Sequence, residues 1–405
     1  MVAFRKTGPS VRPMGNYYDV VIVGGGVTGS STAFFLARGD FDGTIAVVER
    51  DPSYTDVPSV RASGGIRQQF STPENILIGL FGAEFVKSVG ETLSIDGEAP
   101  DVDFKERGYL ILASPQSLPV MRLNHAIQLD LGARIEYQSN EMLRDRYPWL
   151  DVRELAGGFL GLENEGWLDP YSLLQAFRKK AVSLGVAYVA DEVKTLEREG
   201  SRISGLGLAS GSRLEAGVVV NAAGARDAAE LAAQVGIRLP VEPRKRCAFI
   251  FECRESIGDT PLVILPDGVA FRKEGQRYLT VVSPPPEKDA PTKAYDIDYS
   301  LFDDIIWPSL ARYVPAFEAI KLSSAYSCHY DVNTLDENVI LGPVPGIDNL
   351  LVAAGFSGHG LMQSPAVGRA LAELIAHGEY RTLDLSRFGY ERVIRNEPLV
   401  ETNCY

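Results

Sequence analysis

Three glycines and a glutamate near the start of the chain have the spacing of a dinucleotide-binding site. An apolar run at residues 18–23 is followed by Gly24, Gly26 and Gly29, and the next apolar run ends on Glu49. Gly24 permits a sharp turn, Gly26 lets a pyrophosphate approach the backbone, and Gly29 lets the following helix pack closely on the strand. The phosphates would lie at the N-terminus of that helix. Glu49, about 20 residues beyond the glycines, would accept the hydroxyls of an adenosine ribose. The sequence therefore predicts a bound dinucleotide without a ribose phosphate.

A second glycine-rich turn lies near the other end of the chain. Residues 355–360 follow a predicted strand and place His359 between two glycines. An extended FAD needs backbone contacts at both its ADP and its ring ends, whereas a nicotinamide dinucleotide has no use for such a distant turn. Ser364 and Pro365 have the residue types of an N-cap and a first helical position. We therefore predict a helix at 365–376 whose partial positive charge faces the flavin. An ordinary strand–loop–helix crossover is the alternative.

The elements between these motifs change character along the chain. Short strands at 185–189, 192–197, 205–208 and 217–221 continue the nucleotide-binding pattern. From residue 239 to 330 the period becomes two, which is typical of antiparallel strands, here predicted at 247–252, 263–272, 278–282 and 323–330. Helices are predicted at 73–89, 119–131, 141–146 and 171–184, the last with Asp169 as its N-cap.

The predicted fold is α/β with two discontinuous domains. The first is a Rossmann-like FAD-binding domain with a glutathione reductase-type βαβ unit. The second is an α+β substrate domain built on an antiparallel sheet. The FAD-binding domain is predicted at residues 18–86, 152–237 and 332–405, and the substrate domain at 87–151 and 238–331. Residues 1–17 are expected to form a flexible tail.

Composition excludes several classes of function. The chain has 405 residues, too many for one ordinary core, and its 45% hydrophobic and 23% charged residues are typical of a folded protein. The net charge of -13 is spread out, and no basic run suits nucleic-acid phosphates. The four cysteines lack redox-pair and metal-ligand spacing, so we predict reduced thiols and no metal site. No apolar run approaches the about 18 residues of a membrane span. We expect a cytoplasmic protein, or a mitochondrial matrix protein if the source is a eukaryote.

On these residues the chain resembles the FAD-dependent amine oxidoreductases of the D-amino-acid oxidase superfamily, which includes sarcosine oxidase, glycine oxidase and dimethylglycine dehydrogenase. The resemblance covers nearly the whole length and is carried by residues 19–29, 65–70, 165–170, 239–246 and 355–361. Within the superfamily the chain resembles most a group of mitochondrial proteins implicated in the assembly of respiratory complex I. The resemblance implies a flavoprotein oxidoreductase.

The resemblance also assigns residues to the cofactor. Arg50 and Ser63 would flank the ADP half of FAD, and the last glycine-rich turn would approach the flavin ring. Val193 would contact adenine through its backbone, while Ala223 and Gly224 would line the pyrophosphate. The full set of predicted FAD-binding residues is Gly24, Gly26, Val27, Thr28, Gly29, Glu49, Arg50, Ser63, Gly64, Val193, Ala223, Gly224, Gly355, Gly358, His359, Gly360, Leu361 and Met362.

Covalent attachment of the flavin is not predicted. Sarcosine oxidase attaches its flavin through a cysteine, and Cys328 and His329 fall near that place in this sequence. One extra residue puts both out of register with the attachment position. A buried thiol and a sheet histidine are the alternatives, so we expect FAD to be bound non-covalently.

The implied reaction removes a hydride from the carbon next to an amine nitrogen and delivers it to flavin N5, so the cofactor performs the difficult step. An amino-acid substrate needs a cation for its carboxylate, preferably an arginine. Arg67 is the first candidate and Arg272 the second, although each could be a solvated surface arginine. His359 would lie at the polar edge of the flavin, or could be a loop histidine with a backbone partner. Tyr278 and Tyr330, like Tyr326, could donate hydroxyl hydrogen bonds or simply pack.

Two departures from sarcosine oxidase affect the predicted activity. Met362 stands where that enzyme has a lysine that meets the substrate carboxylate. Tyr278 stands roughly where a lysine promotes reaction with oxygen, and because a positive charge stabilises incipient superoxide, its absence favours a dehydrogenase over an efficient oxidase. The sequence does not distinguish oxygen, a quinone and an electron-transfer protein as the electron acceptor. It is also compatible with an oligomer. The alternatives are a flavin-stabilised assembly or scaffold protein and an FAD-dependent 2-hydroxy acid dehydrogenase.

Overall fold

The computed structural model describes residues 15–402, which contain eighteen β-strands. The strands are β1 Tyr17–Val23, β2 Ile45–Glu49, β3 Gly65–Ile66, β4 Tyr109–Ala113, β5 Ile135–Gln138, β6 Gly157–Gly161, β7 Gly166–Trp167, β8 Ala187–Ala190, β9 Val193–Glu199, β10 Arg202–Leu208, β11 Arg213–Asn221, β12 Val241–Cys253, β13 Leu262–Ile264, β14 Ala270–Glu274, β15 Arg277–Val281, β16 Ile320–Asn333, β17 Ile340–Pro343 and β18 Leu350–Ala354. Residues 1–14 of the predicted tail lie outside the described residues, and Tyr17 already belongs to β1.

The same part of the chain forms ten α-helices. They are α1 Val27–Arg38, α2 Pro73–Lys87, α3 Val89–Thr92, α4 Leu118–Asp130, α5 Asn140–Arg146, α6 Pro170–Ser183, α7 Gly224–Gln234, α8 Trp307–Tyr313, α9 Gly360–His377 and α10 Glu391–Arg395. A π-helical turn, Phe302–Ile306, precedes α8. The Asp169 side chain accepts a hydrogen bond from Ser172 N at 3.1 Å and caps α6, as predicted.

The first sheet is a mainly parallel sheet covered on both faces. Its strands run in the order β17–β18–β11–β1–β2–β8, while β10 pairs with β11 and β9 with β10. Strands β18, β11, β1, β2 and β8 are parallel, and β17 is antiparallel to β18. Such a sheet, with a glycine-rich turn leaving β1, places its binding site at the carboxyl ends of the strands.

Alternating side chains of β1 divide the core of this sheet into two layers. Val20 and Ile22 belong to one apolar cluster, together with Phe34 of α1 and residues of α6 and α9. Val21 and Val23 belong to a second cluster, together with residues of β9, β10 and α7. Because both faces are buried, β1 is a continuous apolar run in the sequence.

The second sheet also has eight strands, in the order β16–β12–β15–β14–β13–β4–β6–β5. Its pairs are antiparallel except for the parallel pair β13–β4. One face packs on Phe302, Ile306 and Phe317 in a third apolar cluster. The other face is directed toward the first sheet's turns. An α/β fold with a dinucleotide-binding sheet and a second, largely antiparallel sheet is confirmed.

Two details of the second sheet differ from the prediction. The predicted strand 263–272 is a hairpin, because Leu265 N donates to Val269 O at 2.9 Å and the chain reverses between β13 and β14. The predicted FAD-binding domain resumes at residue 152 and therefore includes β6. Strand β6 instead pairs with β4 and β5 in the second sheet, so the predicted domain boundary at residue 152 is wrong. The other domain limits stay a prediction.

Candidate active site

The first of two adjoining cavities, the dinucleotide cavity, lies at the carboxyl ends of β1, β2 and β11 and measures about 160 Å³. Most of the predicted FAD-binding set lines it. The members in its wall are Gly24, Gly26, Val27, Thr28, Gly29, Glu49, Arg50, Val193, Ala223, Gly224, Gly358, Gly360 and Leu361. The structure thus brings together glycines from both ends of the chain.

The glycines of the first turn are needed because neighbouring atoms leave no room for a side chain. A Cβ on Gly29 would overlap Gly24 O, which explains how closely α1 packs on the end of β1. Gly24 has a φ of 98°, and a Cβ there would overlap Ala222 O. Both glycines therefore have the geometric roles that the sequence predicted.

Glu49 organises the same turn through its carboxylate. Its Oε2 accepts from Gly25 N at 2.8 Å and its Oε1 accepts from Asp51 N at 2.9 Å. Burial raises the pKa of this carboxyl group above its ordinary value. Each oxygen keeps a second lone pair for a ligand hydroxyl, so Glu49 fits the ribose of FAD.

Two arginines occupy the wall near the start of α7. Arg50 lies 2.6 Å from Asp227 Oδ2 and 3.8 Å from Glu192 Oε1, so its charge is shared with protein carboxylates. Arg226, which the sequence analysis did not single out, also lines this cavity. It lies two residues after the predicted pyrophosphate residue Gly224, and this closeness in sequence was the signal that could have identified it.

The second cavity, the sheet cavity, measures about 130 Å³ and lies between the second sheet and the turns at residues 61–67 and 357–362. Most of the strand residues in its wall lie two apart. They are Arg246 and Ala248 of β12, Leu262 and Ile264 of β13, Ala270 and Arg272 of β14, Leu279 and Val281 of β15, and Tyr326, Cys328 and Tyr330 of β16. Cys247 and Phe271, each next to residues of this set, also line the cavity. The wall is therefore mainly apolar, with a few arginines and tyrosines.

The two cavities adjoin each other at four residues. Ala62, Tyr330, Gly358 and Leu361 line both. A Cβ on Gly358, which has a φ of 97°, would overlap the ring of Tyr330. The closing turn can therefore lie against Tyr330 only because residue 358 is glycine. A ligand that extends through the dinucleotide cavity reaches the sheet cavity at this junction.

Arg67 and His359 meet in the wall of the sheet cavity. Arg67 is 4% exposed; its Nη1 donates to Gln69 O at 2.6 Å and its Nη2 lies 3.1 Å from His359 Nε2. Because arginine has only donors, His359 Nε2 accepts and the ring proton lies on Nδ1. Burial, with Arg67 beside it, lowers the pKa of His359 to about 3. His359 is thus a neutral, oriented group rather than a general base.

Glu165 supports the Arg67 turn from behind. Its Oε1 accepts from Gln68 N at 2.9 Å and its Oε2 accepts from Gln69 Nε2 at 2.8 Å. The side chain is fully buried, and burial raises its pKa to about 7. In the sequence Glu165 opens the segment 165–170 that carries the family resemblance, and no role was predicted for it. Its side chain fixes the turn that carries Arg67.

Arg272 reaches the sheet cavity but is bound to other groups there. It forms an ion pair with Glu274, and its Nη2 donates to Ser63 O at 3.0 Å. Its guanidinium lies 5.1 Å from the centre of the Trp167 ring. These contacts fix Arg272 as a link between β14 and the turn at residue 63, so Arg67 is the better placed candidate for a substrate carboxylate.

Tyr278 lies on the opposite face of the second sheet, and its prediction as a site residue is wrong. Its ring stacks on Phe251 at 5.3 Å and packs against Phe317. Since side chains alternate along a strand, Leu279 faces the cavity and Tyr278 faces the apolar cluster. Tyr278 therefore gives no reason to expect a dehydrogenase rather than an oxidase. Tyr330, by contrast, faces both cavities, and burial raises its pKa to about 12.

Several predicted FAD-binding residues lie elsewhere than expected. Ser63 and Gly64 line the sheet cavity, so Ser63 does not flank the ADP half. His359 and Met362 line the same cavity, which is compatible with their predicted place near the flavin ring. Gly355 lines neither cavity within the described residues; its N–H donates to Asp331 Oδ2 at 2.9 Å. Gly355 therefore supports the closing turn rather than touching a ligand.

Helix α9 begins five residues earlier than predicted. It starts at Gly360, and Pro365 lies inside it. Pro365 has no N–H for the carbonyl of Leu361, and the hydroxyl of Ser364 donates to that carbonyl at 2.9 Å instead. Ser364 and Pro365 are thus an internal pair and not the start of the helix, and the N-terminus of α9 lies at the junction of the cavities.

The dinucleotide-binding sheet, the two glycine-rich turns and the adjoining sheet cavity together define a flavin-dependent oxidoreductase. Residues 19–374 match the family model described as FAD dependent oxidoreductase, and the chain belongs to this family. The cofactor is therefore FAD. Among residues 15–402, no helix has both the length and the apolar character needed to cross a membrane.

Known relatives agree with this assignment. FAD-dependent oxidoreductase domain-containing protein 1 from Xenopus laevis is 42% identical over 422 residues, covering 95% of this chain and 84% of that protein. Sarcosine oxidase subunit beta from Rhizobium meliloti (strain 1021) is 26% identical, covering 89% of this chain and 85% of that protein. The crystal structure of L-proline dehydrogenase from P. horikoshii superposes with a TM-score of 0.85 at 26% identity, covering 95% of this chain and 100% of that chain. The predicted superfamily resemblance is confirmed.

Proposed function

We propose that the protein oxidises the C–N bond of a small amino acid or N-alkylamino acid. Bound FAD supplies the acceptor, since flavin N5 takes the hydride that leaves the carbon next to nitrogen. The observation that carries the proposal is the buried Arg67 guanidinium in the wall of the sheet cavity, beside the turn that joins the two cavities. A cation at this place suits a substrate carboxylate.

Arg67 is oriented before any substrate arrives. Its guanidinium lies 4.1 Å from the centre of the Phe70 ring and donates to Gln69 O and to His359. A guanidinium with a fixed plane gives a carboxylate two parallel hydrogen bonds, which a flexible lysine cannot do. Arg67 would therefore anchor one end of the substrate and set the distance of its nitrogen from the junction.

The remaining wall favours an apolar substrate body. Leu262, Ile264, Leu279 and Val281 line the cavity, and the cationic Arg272 is paired with Glu274. A low-polarity cavity also favours the neutral form of an amine over its ammonium form, and the neutral form is the one that can lose a hydride. We infer an amino acid with an apolar side chain or an N-alkyl group.

We propose further that the enzyme works as a dehydrogenase. Among the described residues, no lysine lines either cavity. A lysine ammonium beside a flavin is the group that would stabilise incipient superoxide. The expected acceptor is therefore a quinone or an electron-transfer protein rather than oxygen.

The test is an anaerobic titration of the FAD-loaded protein with apolar amino acids, N-methylamino acids and 2-hydroxy acids, followed by the visible absorbance of the flavin. We expect bleaching by an amino or N-methylamino acid. Arg67→Lys should raise the substrate concentration for half-reduction by at least about tenfold, because the bidentate contact is lost. Bleaching by 2-hydroxy acids alone, or oxidised flavin throughout, would overturn the proposal. The second result would favour an assembly role.

A further inference from the structure

A glutamate among the last described residues holds the chain just after Arg67. The carboxylate of Glu401 accepts hydrogen bonds from Ser71 N at 2.7 Å, from Thr72 N at 3.0 Å and from the hydroxyl of Ser71. Thr72 is the N-cap of α2, so Glu401 completes a capping box from a distant part of the chain. Burial opposes its ionisation, but these hydrogen bonds outweigh burial and keep the pKa of Glu401 below its ordinary value.

The peptide group between Phe70 and Ser71 is held on both sides. Its oxygen, Phe70 O, accepts from Gln128 Nε2 at 2.8 Å, and its N–H is the one that Ser71 donates to Glu401. Gln128 is a polar residue of α4 that is only 2% exposed. A peptide plane whose donor and acceptor are both bonded cannot turn freely. The two contacts therefore fix the backbone from which the Phe70 ring projects.

The Phe70 ring touches both members of the Arg67–His359 pair. Its centre lies 4.1 Å from Arg67 Cζ and 5.2 Å from the centre of the His359 ring, which meets it edge-on. Because a guanidinium is planar, the aromatic face on which it lies helps to set its plane. The position of Phe70 thus influences the direction in which Arg67 offers its hydrogen bonds.

A second connection leads from Glu401 to the His359 side of the pair. Glu401 Oε2 accepts from Asn75 Nδ2 at 3.2 Å, and Asn75 Oδ1 accepts from Gln363 Nε2 at 3.1 Å. Gln363 N donates to His359 O at 3.1 Å at the start of α9. Asn75 and Gln363 are buried, so water does not compete for these hydrogen bonds.

We propose that Glu401 is a positioning residue, which holds Phe70 and the start of α9 so that Arg67 keeps the plane in which it meets a substrate carboxylate. The assignment rests on the proposed function, in which Arg67 is the carboxylate anchor. Within the described residues Glu401 lines neither cavity, so it acts through the residues that it holds.

The test measures the binding of 2-methylpropanoate, a carboxylate with no nitrogen to oxidise, to the FAD-loaded protein from the shift of the flavin absorbance bands. Glu401→Gln removes the charge and directs an amide donor toward other donors. Both 2-methylpropanoate and the amino acid that reduces the flavin should bind about three- to tenfold more weakly, as expected for one misaligned hydrogen bond. FAD affinity should not change, and the rate of flavin reduction at saturating substrate should change little.

Glu397→Gln is the matched control. Glu397 is an exposed glutamate of the same segment, 3.9 Å from Arg395 Nη1, and its replacement should leave all three quantities as in the wild type. In a chain that already carries Arg67→Lys, Glu401→Gln should have little further effect on carboxylate affinity, because the guanidinium plane is gone.

Three results would overturn the assignment. They are equal carboxylate affinities in Glu401→Gln and Glu397→Gln, a parallel loss of FAD affinity in Glu401→Gln, and an undiminished loss in the Arg67→Lys chain. If Glu401→Gln fails to fold, Glu401→Asp, which keeps the charge but has a shorter side chain, is judged by the same comparisons.

The same measurements separate this inference from the proposed function. Binding of 2-methylpropanoate that depends on Glu401 and Arg67, without flavin reduction by any amino or N-methylamino acid, would overturn the proposed oxidation and support the positioning role. Flavin reduction that does not depend on Glu401 would overturn the positioning role alone. A wild type that neither binds 2-methylpropanoate nor is reduced would overturn both.

Discussion

Replacing Glu49 by glutamine tests whether one carboxylate both builds the first turn and binds the cofactor. In the wild type each carboxylate oxygen accepts one backbone N–H, from Gly25 at 2.8 Å and from Asp51 at 2.9 Å. Glutamine has one oxygen, so one of these N–H groups loses its acceptor. A buried donor left without a partner costs about 1–3 kcal/mol, and the free energy of unfolding of the apo-protein should fall by this amount.

The same substitution removes acceptor capacity for the ribose of FAD. A hydrogen bond to a charged acceptor contributes about 1.5–3 kcal/mol, which corresponds to a roughly 10- to 150-fold increase in the dissociation constant of FAD. Acid should have a similar effect on the wild type. Burial raises the pKa of Glu49, so protonation on acidification removes the charge at a higher pH than for an ordinary glutamate. FAD affinity should fall as pH falls through that pKa, and Glu49→Gln should lack this dependence.

The assay is a titration of apo-protein with FAD, followed by flavin fluorescence, at several pH values. Glu192→Gln is the matched control, because Glu192 lines the same cavity and loses the same charge but pairs with Arg50 and Lys194 instead of the turn. The control should change FAD affinity little. If folded Glu49→Gln binds FAD as tightly as the wild type, the assignment of the ribose to Glu49 is wrong.

Three further predictions concern the sheet cavity and its support. Burial raises the pKa of Glu165 from 4.5 to about 7, so between these pH values the folded state keeps a proton that the unfolded state loses. The free energy of unfolding of the wild type relative to Glu165→Gln should therefore fall by about 3 kcal/mol from pH 4.5 to 7.5. A difference that urea unfolding finds to be the same at both pH values would contradict this. Tyr278→Phe should leave the rate of flavin reduction by substrate unchanged, and a large loss would return Tyr278 to the site. Gly358→Ala should weaken FAD binding and cost about 1–3 kcal/mol of stability through strain at positive φ and contact with Tyr330. Tyr330→Ala in the same chain should recover part of that loss, and strictly additive effects in the double-mutant cycle would show that the two residues do not clash.

The parts of the site that follow from local geometry could be predicted from the sequence. The role of Gly29 depends on Gly24, only five residues away, whereas Gly24 is crowded by Ala222 at the end of the neighbouring strand β11 in the sheet. An apolar strand before such a turn has few alternative structures. The N-cap Asp169 was predictable for the same reason, because the hydrogen bond to Ser172 lies within one turn of helix.

Predictions that needed the face of a strand were less successful. An alternating pattern shows that Tyr278 and Leu279 point to opposite faces but not which face meets the ligand. Both faces of the second sheet are covered, so hydrophobicity does not distinguish them. The missed reversal between β13 and β14 had a signal, since Pro266, Asp267 and Gly268 are typical turn residues.

The position of α9 shows how a wrong helix boundary also misplaces the partial positive charge of the helix N-terminus. The sequence placed the helix start at Pro365 because proline is common at a first helical position. In the structure Ser364 supplies the hydrogen bond that Pro365 cannot make, so the helix continues back to Gly360. Its first N–H groups therefore lie at the junction of the two cavities, more than one turn nearer to the site than predicted. The partial positive charge of a helix acts mainly within its first turn, so this shift decides whether the helix can stabilise a reduced, anionic flavin. A helix beginning at Pro365 would have its first turn buried behind Leu361, which itself lines both cavities.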